Sequence, residues 1–408
     1  MKIALLGYGQ EGKSVETYFK KHHQALECDV FENFTPAEIK QKDFSSYDYV
    51  FRSPSVPPLH LENETSVTKY FFDHCPCTII GVTATKGKGT TCSFIESILA
   101  TEGENVHLIG NIGAPAIDIL DDLQDSDVIV YEMSSFQLWD LEKSPHIAVI
   151  GHLEPDHLNV HKDMADYLDA KSHIAKYQTP DDYLVYYSKN SDTTKIAKSS
   201  KAHKIPYPFD VPEDVKKSIH LPGTHNLENA IAAIAAVACY YNISPDEYLR
   251  EHQSTIIEGL RSFHGLPHRL EFLRELNHVK YYDDNFSTNP SSTRVAVNSF
   301  PDDNLIVIIG GRDKTDYQDL PEIYEILKAP QIKDVILMGE SGHELAKRHQ
   351  DARFTIVESL EEAVSTARKK AEKYDTAIVL MSPSAASFDM FKNVYDRGDQ
   401  YKLLIGNL

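Results

Sequence analysis

No run of apolar residues reaches the ~18 positions that a membrane-spanning helix needs, so a helical membrane protein is excluded. Cysteine is scarce: Cys28, Cys75, Cys77, Cys92 and Cys239 are the only five, at irregular spacings. An odd count without a C-x-x-C pattern argues against a disulfide framework and a cysteine-based zinc or redox motif, and all five are expected as reduced thiols. Positive charge is in deficit, with 41 Lys and Arg against 61 Asp and Glu, a net charge of −20. That balance opposes a nucleic-acid or anionic-membrane surface, although a pocket inside an acidic protein can still be basic. The first residues show no basic stretch leading into an apolar one and a cleavage site, which sets the expectation of a cytoplasmic protein. Internal repeats and low-complexity tracts are also missing. What remains is 41% hydrophobic and 25% charged over 408 residues, the composition of a soluble globular chain long enough for two or three cores.

Apolar runs alternate with helical patterns throughout. Residues 2–7 read as a buried strand, followed by a Gly-rich turn, a helix from about Ser14 to Lys21 and a second strand near Cys28–Glu32. A further strand over Tyr47–Phe51 ends at a Ser/Pro turn starting at Ser53. A second block opens with the strand Thr78–Thr83 and continues through strands at Val128–Tyr131 and Ile147–Ile150 to an Ala-rich helix from about Asn229 to Tyr241. Beyond the linker Phe263-His264-Gly265-Leu266-Pro267, strands at Leu305–Ile309, Asp334–Met338 and Ala377–Met381 alternate with helices again. Strand–helix alternation implies largely parallel sheets covered by helices. The expected fold is α/β in three domains: 1–76 Rossmann-like, 77–265 a P-loop ATPase with a mostly parallel sheet, and 266–408 Rossmann-like.

The most informative segment is Gly81-Val82-Thr83-Ala84-Thr85-Lys86-Gly87-Lys88-Gly89-Thr90-Thr91, between a strand and a helix. Backbone N–H groups of such a loop, with the helix N-terminus behind them, bind phosphate oxygens. Lys88 would neutralise β/γ-phosphate charge, and a hydroxyl of Thr90 or Thr91 would ligate Mg²⁺. The pattern departs from the standard P-loop, with Val82 at its first Gly position and Gly89 where Ser or Thr follows the lysine. Earlier, Gly7-Tyr8-Gly9-Gln10-Glu11-Gly12 follows a strand, and Glu32 lies about 20 positions on, an arrangement suited to a dinucleotide or a nucleotide-diphosphate sugar. Glu132 closes an apolar strand, where a carboxylate can hold Mg²⁺ beside the phosphate loop; an acid near a helix N-terminus is the plainer reading. His152, His157 and His161 fit no common zinc spacing, but the phosphate loop makes His157 a candidate metal ligand. In the third block Asp283-Asp284-Asn285, Gly310–Lys314 and Ser382–Ser387 are polar loops ending strands. Each alone could be helix capping, and together they suggest a second substrate site.

Read in order, these motifs resemble the Mur ligase family. The resemblance spans nearly the whole chain and rests on Thr83–Thr91, Gly110-Asn111-Ile112-Gly113, Glu132–Leu138, Asp156-His157, Lys171, Leu221–Asn226, Gly265–Arg269 and Ser387–Asn393. It implies a ligase using ATP and Mg²⁺ to join D-glutamate to UDP-N-acetylmuramoyl-L-alanine through an acyl phosphate, as a cytoplasmic monomer. It implies that Thr85, Lys86, Gly87, Lys88, Gly89, Thr90, Thr91, Asn229, Arg269 and Asp284 contact ATP. Thr90, Glu132, His157 and Lys171 would hold Mg²⁺, with Lys171 carbamylated. Gly9, Gln10, Glu11, Glu32 and Ser53 would meet the uridine diphosphate, Asn111 and Ser135 the muramoyl part, and Thr288, Lys314, Ser387 and Phe388 the incoming amino acid. Two positions depart from the family: Phe286 stands where a lysine is expected and Val394 where an aromatic is. Gly-Lys-Gly is also similar to folylpolyglutamate synthase, so a ligase with another acceptor is the nearest alternative. A catalytically inactive nucleotide-binding regulator is the alternative of another class, and a dinucleotide oxidoreductase would leave the phosphate loop and Glu132 unexplained.

Overall fold

The computed structural model describes residues 1–111, 114–158 and 160–408. Ile112 and Gly113 of the Gly110–Gly113 motif therefore lie outside the described residues. Among the described residues there are three sheets. The first is parallel, in the order β2-β1-β3-β4, from β1 (Lys2–Leu6), β2 (Glu27–Phe31), β3 (Tyr49–Arg52) and β4 (Glu64–Thr65). The second contains β5 (Thr78–Thr83), β6 (Val106–Gly110), β7 (Val128–Glu132), β8 (Ile147–Ile150), β9 (Tyr183–Tyr187) and β10 (His203–Tyr207). Its order is β10-β9-β8-β5-β7-β6, parallel throughout. The third contains β11 (Glu271–Leu276), β12 (Val279–Asp283), β13 (Leu305–Ile309), β14 (Ile332–Leu337), β15 (Phe354–Ile356) and β16 (Ala377–Met381). It runs β11-β12-β16-β13-β14-β15, with only β11 antiparallel. The chain is thus α/β with mostly parallel sheets. The orders 2-1-3-4 and β12-β16-β13-β14-β15 are doubly wound but lack the 3-2-1-4-5-6 sequence of a full dinucleotide fold.

The described residues fall into two compact units, one of residues 1–219 and 227–263, the other of 220–226 and 264–408. The first two sheets belong together because one apolar cluster runs through both: Ile3, Leu5, Phe19 and Phe51 join Ile79, Ile109, Tyr131 and Ile150. Strands buried on both faces, such as β7 and β8, are continuous apolar runs, as parallel strands under helices require. Edge strands are not: β10 is mostly exposed and carries Pro206, whose missing N–H is harmless at an edge. The Ala-rich helix, Thr224–Tyr240, begins five residues before the sequence pattern suggests, just after Gly223 at φ +93°. Its residues through Asn226 group with the second unit.

Within the first unit Arg52 is fully buried at the end of β3. Its guanidinium lies 2.6 Å from Asp140 Oδ1 and 3.2 Å from Glu64 Oε1, and donates to Val56 O at 2.7 Å. Removing one member of such a network strands the others as buried, uncompensated charges. Arg52→Leu should therefore lower unfolding free energy by about 3–5 kcal/mol, read from urea denaturation of the full chain; an unchanged midpoint would contradict the role given to this cation.

Candidate functional site: the loop after β5 and the loops of the second unit

In the second sheet β5 lies between β8 and β7, so the loops after these three strands are neighbours. The loop after β5 turns at Gly87, φ +83°, and passes into the helix Lys88–Glu102. Gly87 is required twice over, by its left-handed backbone and because a Cβ would come within 2.6 Å of Asn229 Oδ1. The expected ATP residue Asn229 therefore does pack on this loop. Lys88 folds back, its Nζ donating to Ala84 O at 3.1 Å and Thr85 O at 3.2 Å. Thr85 is an internal tie: its hydroxyl meets Tyr167 OH at 2.9 Å and accepts from Glu154 N at 3.0 Å. Lys86 pairs with Glu154 at 3.1 Å, Thr91 is buried, and Gly89 and Thr90 are partly exposed.

Lys171, on the helix Met164–Lys176, enters the same spot from the other side. Its Nζ donates to Thr83 Oγ1 and Ala84 O, both at 3.0 Å, and the side chain is buried. Burial, and then the positive charge of Lys88, push its pKa well below the ordinary lysine value. Glu132, closing β7, is buried; Oε1 accepts from Asn111 Nδ2 at 3.2 Å, and Oε2 has no hydrogen-bond partner among the described residues. His157 sits in the loop after β8 at φ +53°, half-exposed, its ring 5.0 Å from that of Phe136. Ser135 is turned inward, with its hydroxyl 2.9 Å from His161 Nε2. A buried carboxylate oxygen left without a partner is the feature a hard cation satisfies, so this donor set suits Mg²⁺.

The N-terminal loop leaves β1 at Gly7, φ +95°, where a Cβ would strike Ser53 Cβ at 2.9 Å. Ser53 is thus brought to the loop; Gly9 and Gln10 are exposed, and burial pushes the Glu11 carboxyl up to about 7 against the pull of Arg52. Glu32 is exposed just past β2.

In the second unit the three expected polar loops follow β12, β13 and β16, which are adjacent. They are stitched by backbone bonds: Ser384 N to Ser287 O at 2.8 Å, Gly310 N to Pro383 O at 2.8 Å and Arg312 N to Ala386 O at 2.7 Å. Lys314 Nζ reaches Thr288 O at 3.4 Å. Ser387 is buried with a hydroxyl that has no partner among the described residues, and Phe388 is exposed. Asp284 is committed to the fold: Ser382 Oγ donates to Oδ2 at 2.7 Å and Leu270 N to Oδ1 at 3.3 Å. Phe286, in the place of the expected lysine, lies 5.2 Å from the Arg269 guanidinium, which rests on its ring. The sequence pattern gave no sign of buried Arg397, which donates to Asn285, Ala385 and Ala386. His268, Glu271 and Asp283 converge as metal ligands would, but they already serve one another and Lys402.

Two family models match the chain, the Mur ligase middle domain over residues 82–217 and the Mur ligase glutamate ligase domain over 268–384. The UDP-N-acetylmuramoylalanine--D-glutamate ligase of Clostridium tetani is 32% identical, across the whole chain and 97% of the relative. The chain belongs to the Mur ligase family. The Acetivibrio thermocellus protein of the same name is 31% identical over the whole chain and 96% of its own length. Among solved structures, the Mur ligase fold is seen again in UDP-N-acetylmuramate-alanine ligase MurC of Thermotoga maritima, with TM-score 0.61, 15% identity and coverage of 100% and 99%. MurF ligase of the same organism, solved with ADP, gives TM-score 0.60 and 15% identity over 89% of this chain and 90% of that one.

Burial pushes the Asp284 carboxyl of this Mur ligase up to about 7, from 3.8 in an exposed chain. A raised folded pKa means that the stabilisation is complete below the unfolded value and is lost as pH rises through the folded one. Native protein should therefore lose stability between about pH 4 and 7 relative to Asp284→Asn, in paired denaturation curves. Parallel pH profiles would contradict the burial cost assigned to this carboxyl.

Proposed function

We propose that this Mur ligase adds D-glutamate to UDP-N-acetylmuramoyl-L-alanine, using ATP to form an acyl phosphate, in peptidoglycan synthesis. The observation that carries the reading is the loop after β5, with Lys88 and Lys171 converging on Ala84 O and an orphaned oxygen of Glu132 at the end of the neighbouring strand β7. It is supported by full-length similarity to relatives bearing that ligase name.

Joining a carboxylate to an amine in water is uphill, so the carboxylate must be activated. Helix Lys88–Glu102 directs its first N–H groups toward the loop, where the triphosphate would lie. Lys88 would release its loop carbonyls and follow the charge of the transferring phosphoryl group. Thr90, Glu132, His157 and Lys171 would hold Mg²⁺; when bound, the ion supplies charge neutralisation at the phosphates. The alanyl carboxylate oxygen attacks the γ-phosphorus and ADP leaves. The amine of D-glutamate then attacks the acyl carbon, a tetrahedral intermediate forms, and phosphate departs as the amide closes.

Lys171 fits a carbamate. Its neutral amine can add to CO₂, forming an N–C bond and releasing a proton, which converts a cation-forming side chain into an anion beside Glu132. In the first unit Gly9, Gln10, Glu11, Glu32 and Ser53 would serve the uridine diphosphate in a Rossmann-like manner, and Asn111 the muramoyl part. Ser135, committed to His161, would act there only through the fold. In the second unit Thr288, Lys314, the unpartnered Ser387 hydroxyl and exposed Phe388 would receive D-glutamate.

Purified protein with ATP, Mg²⁺ and UDP-N-acetylmuramoyl-L-alanine should release phosphate only when D-glutamate is added. Release with a different amino acid would move the specificity, and none with any amino acid would overturn the assignment. Under ¹³CO₂ the protein should show a carbamate carbon resonance that Lys171→Ala lacks, and short carboxylic acids should partly restore turnover to that variant. A resonance unchanged in Lys171→Ala would remove the carbamate from Lys171.

A further inference from the structure

Each of the three side chains Glu132, His157 and Lys171 comes from a different element: the end of β7, the loop after β8, and the helix Met164–Lys176. A metal site assembled from three elements needs something to fix their relative positions, because ligands misplaced by a fraction of an ångström lose affinity. His161, itself in the loop after β8, bonds to residues close in sequence to the other two. His161 Nε2 lies 2.9 Å from Ser135 Oγ, three residues after Glu132. His161 Nδ1 lies 3.1 Å from Asp166 Oδ2, in the first turn of the helix that carries Lys171. Its backbone N–H donates to His157 O at 2.9 Å, closing one turn on the residue held at φ +53°.

The ring itself is fully enclosed. It stacks on Phe136 at 5.4 Å with an interplanar angle of 4°, approaches Trp139 at 4.6 Å, and meets Tyr167 edge-on at 5.4 Å. Nδ1 thus faces the Asp166 carboxyl and Nε2 the Ser135 hydroxyl. The contacts follow the order of a Ser-His-Asp triad, but Ser135 is 2% exposed and no substrate atom can reach its oxygen. The arrangement holds; it does not attack. Asp166 also accepts from Lys162 N at 3.1 Å, which ties the chain after His161 to the same carboxylate.

We propose that His161 is a positioning residue which, through Ser135 and Asp166, sets the spacing of Glu132, His157 and Lys171 for the divalent cation. This rests on the metal-holding role given above to those three side chains. The test reads metal binding directly, by Mn²⁺ electron paramagnetic resonance titration in the presence of ADP. His161→Phe keeps the stacked ring and loses both polar contacts, and Ser135→Ala removes only the hydroxyl partner. Mn²⁺ affinity should fall about 10–100-fold in His161→Phe and in the same direction in Ser135→Ala, the range seen when groups behind metal ligands are lost. ADP affinity without metal and the melting temperature of the metal-free Ser135→Ala protein should stay near native. Native Mn²⁺ affinity in folded His161→Phe would overturn the proposal; should that variant not fold, native affinity in Ser135→Ala would do so. Failure of the wild-type protein to use D-glutamate would overturn the ligase reading alone, because the Mn²⁺ titration needs no acceptor.

Discussion

At the end of β5 the carbonyl of Ala84 accepts from two lysine nitrogens, Lys88 at 3.1 Å and Lys171 at 3.0 Å. Two cations cannot occupy that position cheaply away from water, and burial together with the charge of Lys88 drives Lys171 toward its neutral form. The local architecture follows from holding that pair. Gly87 adopts a left-handed turn that no other residue would take easily, and its missing side chain leaves room for the Asn229 amide. The Thr85 hydroxyl locks the loop to Glu154 and Tyr167, so the loop after β8 and the helix of Lys171 are braced against the strand end. Glu132 arrives from β7 with one carboxylate oxygen engaged by Asn111 and the other available.

The second unit solves a different problem, presenting polar groups on loops whose backbones are already satisfied. Adjacent strands β12, β16 and β13 place the three loops side by side, and cross-loop backbone bonds fix them. Side chains such as Ser387 are then left with unused hydrogen-bonding capacity, while Asp284 is consumed internally. Phe286 supplies a face for Arg269 in place of a second cation, which avoids setting two like charges together.

Much of this was legible in the sequence where burial imposes a long apolar run. Strands β5, β7, β8, β13 and β16 were read within a residue or so, and the loops after β5, β12, β13 and β16 were recognised as polar ends of apolar strands. Strands β6, β9 and β10 were not read: all three are partly exposed, and their mixed composition carries no strong period. The apolar cluster joining Phe51 of the first sheet to Tyr131 of the second leaves no mark on local pattern. His161 was weighed only as a zinc ligand. Its contacts with Ser135 and Asp166 span 26 and five positions, and only the fold brings all three together. Arg52 and Arg397 were missed for the same reason: nothing in composition distinguishes a buried arginine from a solvated one.

The account turns on the loop after β5 activating a carboxylate by phosphorylation. The most direct measurement is oxygen transfer, using UDP-N-acetylmuramoyl-L-alanine labelled with ¹⁸O in the alanyl carboxylate and mass spectrometry of the phosphate released with D-glutamate. An acyl phosphate requires that one labelled oxygen leave with each phosphate. Unlabelled phosphate, formed at the same rate as product, would contradict the mechanism and require the loop to drive the ligation in another way.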